Sequence, residues 1–388
     1  MDTKGKFPVE KFNNLQTPFY FYDTDLLKET LNTVNRESQK YANYHVHYAI
    51  KANANGKLLT IIKENGLGVD CVSGGEIQAA LNAGFAAEKI VFAGVGKSDW
   101  EINLGLDNNI FCFNAESIPE LEVINELAAA KGKVASVALR INPDVAANTH
   151  HYITTGLKEN KFGISLTQMN EVIDVVEKLT NLKLIGLHFH IGSQITDMSD
   201  FESLCIRINE LQEQLATRKV NLEIINVGGG LGIDYQNPNN QPMPDFGSYF
   251  ATFDKHLKLR PGQSLHFELG RSIVCQSGSL ITKVLYVKEG VNKKFAIVDA
   301  GMTDLIRPAL YQAYHKIENI SSEETNEAYD IVGPICESSD TFGKAVELNK
   351  TKRGDYIALR SAGAYGEIMA SQYNCRTLPG AFYSEDFV

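Results

Sequence analysis

The sequence predicts an α/β fold: a (β/α)8 barrel followed by a smaller β domain. Three observations lead there. Short runs of β-branched, aromatic and other apolar residues alternate with helical patterns, eight times between residues 46 and 269. The C-terminal ends of those runs carry polar side chains, which in a barrel converge on one mouth. After about residue 271 the helical patterns nearly stop and strand-like runs separated by turns take over.

The elements follow in order. Thr17-Pro18 precedes a strand pattern, Phe19-Tyr20-Phe21-Tyr22-Asp23. Asp23 or Thr24 can cap a helix running to about Tyr41, with Leu26, Leu27, Thr30, Leu31 and Val34 near helical spacing. Barrel strands are expected at 46–50, 68–72, 90–95, 110–113, 134–141, 184–190, 222–227 and 265–269. Helices are expected between them at 57–65, 75–83, 99–106, 118–130, 168–179, 201–217 and 246–257. Asn114 or Ser117, Thr167 and Ser199 offer caps. The same elements in an open, doubly wound sheet are the alternative arrangement. Residues 272–287, 295–300, 329–332 and 355–359 read as strands of the β domain, and the acidic stretch 318–327 reads as an exposed loop.

Composition narrows the partners. With 388 residues, 44% of them hydrophobic, the chain can bury a large core. Lys and Arg number 37 against 47 Asp and Glu, a net charge of −10, which argues against nucleic acid or an anionic membrane as partner. An anionic ligand would need a local cationic site. The opening MDTKGKFPVEKF has no apolar h-region, and no apolar run approaches the roughly 20 residues of a membrane span. The six cysteines are scattered without a C-x-x-C pair, so reduced thiols in a cytoplasmic protein are expected rather than a zinc site or disulfides.

The chemistry gathers at the strand ends. The stretch His45-Val46-His47-Tyr48-Ala49-Ile50-Lys51 reads as a strand ending at a lysine, with Asn53-Ala54-Asn55-Gly56 as the stop. A lysine just past a buried strand is expected to be desolvated, which favours a neutral, nucleophilic amine; a solvated strand end is the plainer reading. Further round the mouth come Asp70, Ser73, Asn114, Arg140, Asn142, His188, His190 and Ser193. Gly228-Gly229-Gly230-Leu231-Gly232 follows the seventh strand, where bare backbone amides can cradle a phosphate. A dinucleotide fingerprint is excluded, because Ile233 fills its last glycine position. Glu268-Leu269-Gly270-Arg271 follows the eighth strand and is either an ion pair or a carboxylate for a ring nitrogen beside a guanidinium for an anion. His188 and His190 are expected on one face of a strand, more suited to packing on a flat ring than to a metal, for which no third ligand has suitable spacing. Cys336-Glu337 lies in a glycine-proline loop where the thiol is either inert or reactive.

Together these residues resemble the fold type III pyridoxal-phosphate decarboxylases, and within them the diaminopimelate decarboxylase branch. The lysine motif is Tyr48-Ala49-Ile50-Lys51-Ala52-Asn53, the histidine motif His188-Phe189-His190-Ile191-Gly192-Ser193-Gln194, and the glycine motif Gly228 to Gly232. C-terminal signatures are Arg307-Pro308-Ala309-Leu310-Tyr311, Cys336-Glu337-Ser338 and Gly363-Ala364-Tyr365. The likeness runs from Thr17-Pro18 to Tyr365 in the expected order. One departure is Leu269, where the family is expected to carry proline; Glu268 and Arg271 on either side are kept.

The resemblance implies a barrel over 24–271 and a β-sandwich or barrel-like domain made of 1–23 and 272–388. It further implies pyridoxal 5'-phosphate as cofactor and a head-to-tail homodimer with active sites at the subunit interface. It makes Lys51 the Schiff-base lysine and His190 the residue stacked on the pyridine ring. Ser193 with Gly228, Gly229 and Gly230 would hold the phosphate, Asp70 and Gly270 would join the cofactor site, and Glu268 would keep the ring nitrogen protonated. Arg271, Arg307 and Tyr311 would clamp the substrate's distal carboxylate, Glu337 its distal ammonium, and Tyr365 would touch cofactor and substrate. Cys336, arriving from the partner subunit, would reprotonate the α-carbon. A glutamate rather than an arginine at the ring nitrogen favours decarboxylation over racemisation. Cys-Glu, where polyamine-forming relatives carry Cys-Asp, favours meso-2,6-diaminopimelate going to L-lysine and CO2. An ornithine, arginine or carboxynorspermidine decarboxylase, and a non-enzymatic cofactor carrier, are the competing expectations.

Overall fold

The computed structural model describes residues 5–145 and 161–387. Of the opening segment, residues 1–4 lie outside that description. The chain forms two compact units. One comprises Leu31–Gly232 and Asp245–Gly270; the other comprises Met1–Thr30, Ile233–Pro244 and Arg271–Val388.

The first unit is a closed, all-parallel barrel. Its eight strands are Tyr44–Ala49, Gly68–Cys71, Ile90–Phe92, Cys112–Ala115, Ala135–Asn142, Leu182–His188, Ile224–Asn226 and Ser264–Leu269. Each pairs with the next, and the eighth returns to the first with Leu269 opposite Tyr48. Nearly every residue of these strands is buried, as expected for strands covered on both faces. Val91, Cys112, Ala138, Ile185 and Ile224, from five successive strands, pack into one cluster. The eighth strand is pinned by aromatic packing. Phe267 lies 4.9 Å from Phe250 and 5.2 Å from Phe253, ring to ring, on the helix Phe246–His256. Because side chains alternate along a strand, pinning Phe267 on that side turns its neighbours His266 and Glu268 the other way.

Most helices begin where the cap chemistry puts them. Ser117 accepts from the Glu120 amide at the start of Ile118–Ala130, and Asp23 accepts from the Leu26 amide at 2.9 Å at the start of Thr24–Ser38. Two caps differ from expectation. Asp197, not Ser199, caps Met198–Thr217, since its carboxylate accepts from the Ser199 amide at 2.9 Å. Ser165, not Thr167, caps the short turn Leu166–Gln168 that leads into Met169–Val176. Among the described residues no helix is long and apolar enough to cross a membrane.

The second unit is built on one eight-stranded sheet. Six strands run in the spatial order Ile317–Asn319, Tyr356–Leu359, Gly278–Glu289, Lys294–Val298, Asn326–Val332 and Thr341–Asn349. Phe19–Tyr22 pairs antiparallel with Gly278–Glu289 and parallel with Gly380–Tyr383, so the N-terminal segment is part of this sheet. Phe12, Phe19, Phe21, Ile281 and Tyr356 form its core. Residues 272–287 are not one strand: Arg271–Val274 is a helical turn and the strand starts at Gly278. The acidic stretch is not wholly a loop either. Glu318 sits buried in Ile317–Asn319, paired at 2.7 Å with Arg360.

Candidate active site

The barrel mouth assembles around Glu268. Its Oε1 accepts from Asn226 Nδ2 at 2.7 Å and Asn114 Nδ2 at 3.2 Å, and its Oε2 accepts from His188 Nε2 at 3.0 Å. Register explains the convergence, since His188 pairs with Asn226 and Asn226 with His266 on adjoining strands. Burial alone would push this carboxyl towards protonation. His188, by charge and hydrogen bond, then Lys51 and His47, outweigh that and hold it well below the ordinary carboxylate range. Asp70, two strands away, is the opposite case. Burial first, then the charge of Glu268, pushes its carboxyl well above the ordinary range.

Lys51 occupies the turn Ile50–Ala52 immediately past the first strand, with Nζ 4.0 Å from Asp70 Oδ2. Its side chain is 41% exposed, so the expected desolvation is not what the structure has. The strand's own residues are buried, but the turn carries the lysine out of that layer. Two hydrogen bonds brace the turn: the Asn53 amide donates to the Ile50 carbonyl at 2.9 Å, and the Tyr48 hydroxyl donates to the Asn53 carbonyl at 2.9 Å. Gly270 lies against this turn, where an added Cβ would stand 3.0 Å from the Ala52 Cβ.

The glycine loop rests directly on the Glu268 backbone. The Glu268 amide donates to the Gly228 carbonyl at 2.7 Å, and a Cβ on Gly229 would overlap the Glu268 carbonyl oxygen. Gly228, at φ +68°, leaves no room beside the Phe189 carbonyl, and Gly230 is at φ +115°. The loop after the sixth strand joins it: the Ile195 amide donates to the Gly230 carbonyl at 2.9 Å, which brings the half-buried Ser193 into the same region. His190 is not on the strand, which ends at His188. Its Nδ1 accepts from the Gly229 amide at 3.4 Å. Burial first, then Lys51 and Arg140, pushes the imidazole well below its usual range, so it presents a neutral ring. Gly229→Ala is expected to lower the unfolding free energy by about 1–3 kcal/mol, because the overlap is with backbone that has little room to move. Urea unfolding checks it, and an unchanged midpoint would mean the loop is free to shift.

A phosphate-bearing pyridine suits this donor set. Both oxygens of the buried Asp70 carboxyl lack a hydrogen-bond partner among the described residues. The glycine loop is tight enough to exclude any side chain, as a close backbone cradle requires. Of the four acceptor positions on Glu268, Asn114, Asn226 and His188 fill three and leave one on Oε2.

The second unit brings Arg271, Arg307 and Tyr365 together. Arg271 and Arg307 are only 6% and 7% exposed, and both donate to the Tyr235 hydroxyl. The Arg271 guanidinium lies 5.0 Å from the Tyr365 ring centre. Tyr311 ends the helix Arg307–Tyr311 one turn beyond Arg307 and so shares its side of the helix. Cys336 and Glu337 are on an exposed loop organised by Asp340, whose carboxylate accepts from the Met302 amide at 2.6 Å and the Ile335 amide at 2.7 Å. Glu337 accepts from the Tyr373 hydroxyl at 2.7 Å. Sequence reasoning missed Asn226 and Tyr235. The signal for Asn226 was its place just ahead of Val227 in a wholly buried strand; for Tyr235 there was none.

Comparison with known proteins adds the lineage. Residues 27–275 match the family model described as pyridoxal-dependent decarboxylase, pyridoxal binding domain. Diaminopimelate decarboxylase from Bacteroides thetaiotaomicron is 71% identical, over 99% of this chain and 100% of that one. The Neisseria meningitidis protein of the same name is 46% identical, over 93% of this chain and 86% of that one. Among solved structures, Helicobacter pylori diaminopimelate decarboxylase complexed with L-lysine superposes with a TM-score of 0.92 at 41% identity, covering 97% of this chain and 94% of the other.

Proposed function

The chain belongs to the pyridoxal-dependent decarboxylases, in their diaminopimelate decarboxylase branch, and on that premise we propose that it converts meso-2,6-diaminopimelate to L-lysine and CO2. The observation that carries this reading is Glu268, a buried carboxylate kept ionised by three donors with one acceptor position to spare. Pyridoxal 5'-phosphate, when bound, supplies an electron sink for the pair left behind as CO2 departs. Glu268 would accept the ring N–H at that spare position and so favour the protonated ring nitrogen. Lys51 would hold the cofactor through Nζ. His190, neutral and flat, would stack on the ring face, while the Gly230 amide and Ser193 would take the phosphate beside Gly228 and Gly229, whose own amides donate to Asn226 Oδ1 and His190 Nδ1. Arg271 and Arg307, with Tyr311, bind the carboxylate at the unreactive end of the substrate, Glu337 the ammonium there, and Tyr365 orients both partners.

Cys336 is assigned the delivery of a proton to the α-carbon. It and Glu337 are exposed on the single chain, which supports their serving the site of a second subunit in a cytoplasmic homodimer. Cys336→Ala is expected to keep the cofactor attached and slow turnover by about 10²–10³. Mixing unfolded Cys336→Ala and Lys51→Ala chains and refolding them should then restore about a quarter of the wild-type rate, since half the dimers would contain one intact site. Normal turnover by Cys336→Ala would remove it as donor, and no recovery on mixing would remove the shared site.

The function itself is tested by product analysis. The holoenzyme is offered meso-diaminopimelate, ornithine, arginine and carboxynorspermidine in parallel. Lysine and CO2 are expected from the first alone. Release of a diamine or polyamine instead would discard the distal-carboxylate assignment and keep the cofactor site.

A further inference from the structure

Two buried guanidiniums meet at one neutral oxygen. Arg271 Nη1 donates to the Tyr235 hydroxyl at 2.5 Å and Arg307 Nη1 donates to it at 3.1 Å. The ring lies 5.9 Å from the first guanidinium carbon and 5.6 Å from the second. The hydroxyl proton is committed as well. Cys275 donates its own S–H to the Ser361 carbonyl at 3.0 Å, so Tyr235 donates to Cys275 Sγ at 3.3 Å. With two donors accepted and its proton placed, the oxygen is saturated. Burial pushes the phenol up to about 12, so it adds no negative charge. His315 is neutral too: its Nδ1 donates to the Arg360 carbonyl at 2.9 Å, leaving Nε2 to accept from Arg307 at 3.2 Å. Among the described residues, then, no carboxylate hydrogen-bonds to Arg307. Two like charges held this close are costly unless an anion joins them.

We propose that Tyr235 is the positioning residue that sets Arg271 and Arg307 as a fork for one carboxylate, and that it thereby selects substrates whose unreactive end carries that group. The inference rests on the decarboxylase reading above and extends it to a residue outside its motifs. A single oxygen accepting from both guanidiniums fixes their spacing and their planes. Without it the two cations repel and the fork opens.

The test is Tyr235→Phe, which keeps the ring against both guanidiniums and removes only the shared oxygen. Holoenzyme is titrated calorimetrically with L-lysine and with cadaverine, which differ by one carboxylate. The dissociation constant for L-lysine is expected to rise about tenfold or more, and that for cadaverine by less than about twofold. The KM for diaminopimelate should rise with the lysine constant, while kcat at saturation falls by less than about threefold. Should this variant not fold, Cys275→Ala, which removes the acceptor of the hydroxyl proton, is expected to shift the lysine constant about two- to threefold with the same selectivity. Equal weakening of both ligands, an unchanged lysine constant, or a wild-type enzyme that binds the two alike would each overturn the fork. Because the titrations need no turnover, failure of the decarboxylase reading shows separately, as wild-type holoenzyme that leaves diaminopimelate intact.

Discussion

Lys51→Ala is expected to abolish covalent cofactor attachment and to cut decarboxylation by at least about four orders of magnitude. The Asp70 carboxyl beside it, with Oδ2 4.0 Å from Nζ, cannot act as a nucleophilic amine. The fold should hardly notice. The side chain is 41% exposed, and the turn that carries it is braced by the Asn53 amide and the Tyr48 hydroxyl. Stability is therefore expected within about 0.5 kcal/mol of wild type. Borohydride reduction followed by peptide mass analysis reads the attachment, and CO2 release reads the turnover. A pyridoxyl adduct surviving elsewhere on the variant, or turnover above about 1% of wild type, would move the covalent role away from Lys51.

Barrel and site order were legible because burial on both faces writes continuous apolar runs, and a run cannot end without a change of chemistry. That is why the strands Gly68–Cys71 and Ser264–Leu269 and the polar residues at their ends could be read together. What the sequence concealed was depth. Lys51 follows buried Ile50, yet a tight turn of three residues is enough to bring it to solvent. Glu318 stands in an acidic run that looks solvated, but its partner Arg360 lies 42 residues away and the pair folds inward as one unit. Long-range pairing of this kind has no local pattern. The caps show the same limit at short range, since Asp197 and Ser199 are equally good capping residues two positions apart and the packing of the helix decides between them.

Tyr235 marks the boundary most clearly. It follows the glycine loop by a few residues and reads as an ordinary aromatic in a connection. Its importance comes from Arg271 and Arg307, which lie 36 and 72 residues further along and reach the same oxygen. Motif reasoning finds residues whose neighbours in sequence are also their neighbours in space, as in Glu268-Leu269-Gly270-Arg271. It does not find a hub whose partners come from two distant segments.

Glu268→Gln is expected to lower kcat by about 10²–10³ while leaving the cofactor attached through Lys51. The substitution keeps shape and removes charge. A glutamine oxygen can still accept from Asn114 and Asn226, but its amide nitrogen would face the Nε2–H of His188, donor against donor. His188 could relieve this only by moving its proton to Nδ1, a buried atom with no hydrogen-bond partner among the described residues. A cost of about 1–3 kcal/mol in stability is expected on that account. The catalytic loss has a separate origin, since no acceptor is then left for the ring N–H. The wild-type carboxyl is held well below its usual range, so its contribution to stability is complete above the unfolded carboxylate value and is lost only as pH falls through the lower, folded one. Mild acid should therefore leave Glu268 ionised in the native enzyme. Removing the charge by substitution should accordingly depress kcat across the whole neutral range and not merely shift a limb of the pH profile. Single-turnover rates from pH 6 to 8 on enzyme of known cofactor content check this, and a variant within about threefold of wild type throughout would show that the ring nitrogen does not depend on Glu268.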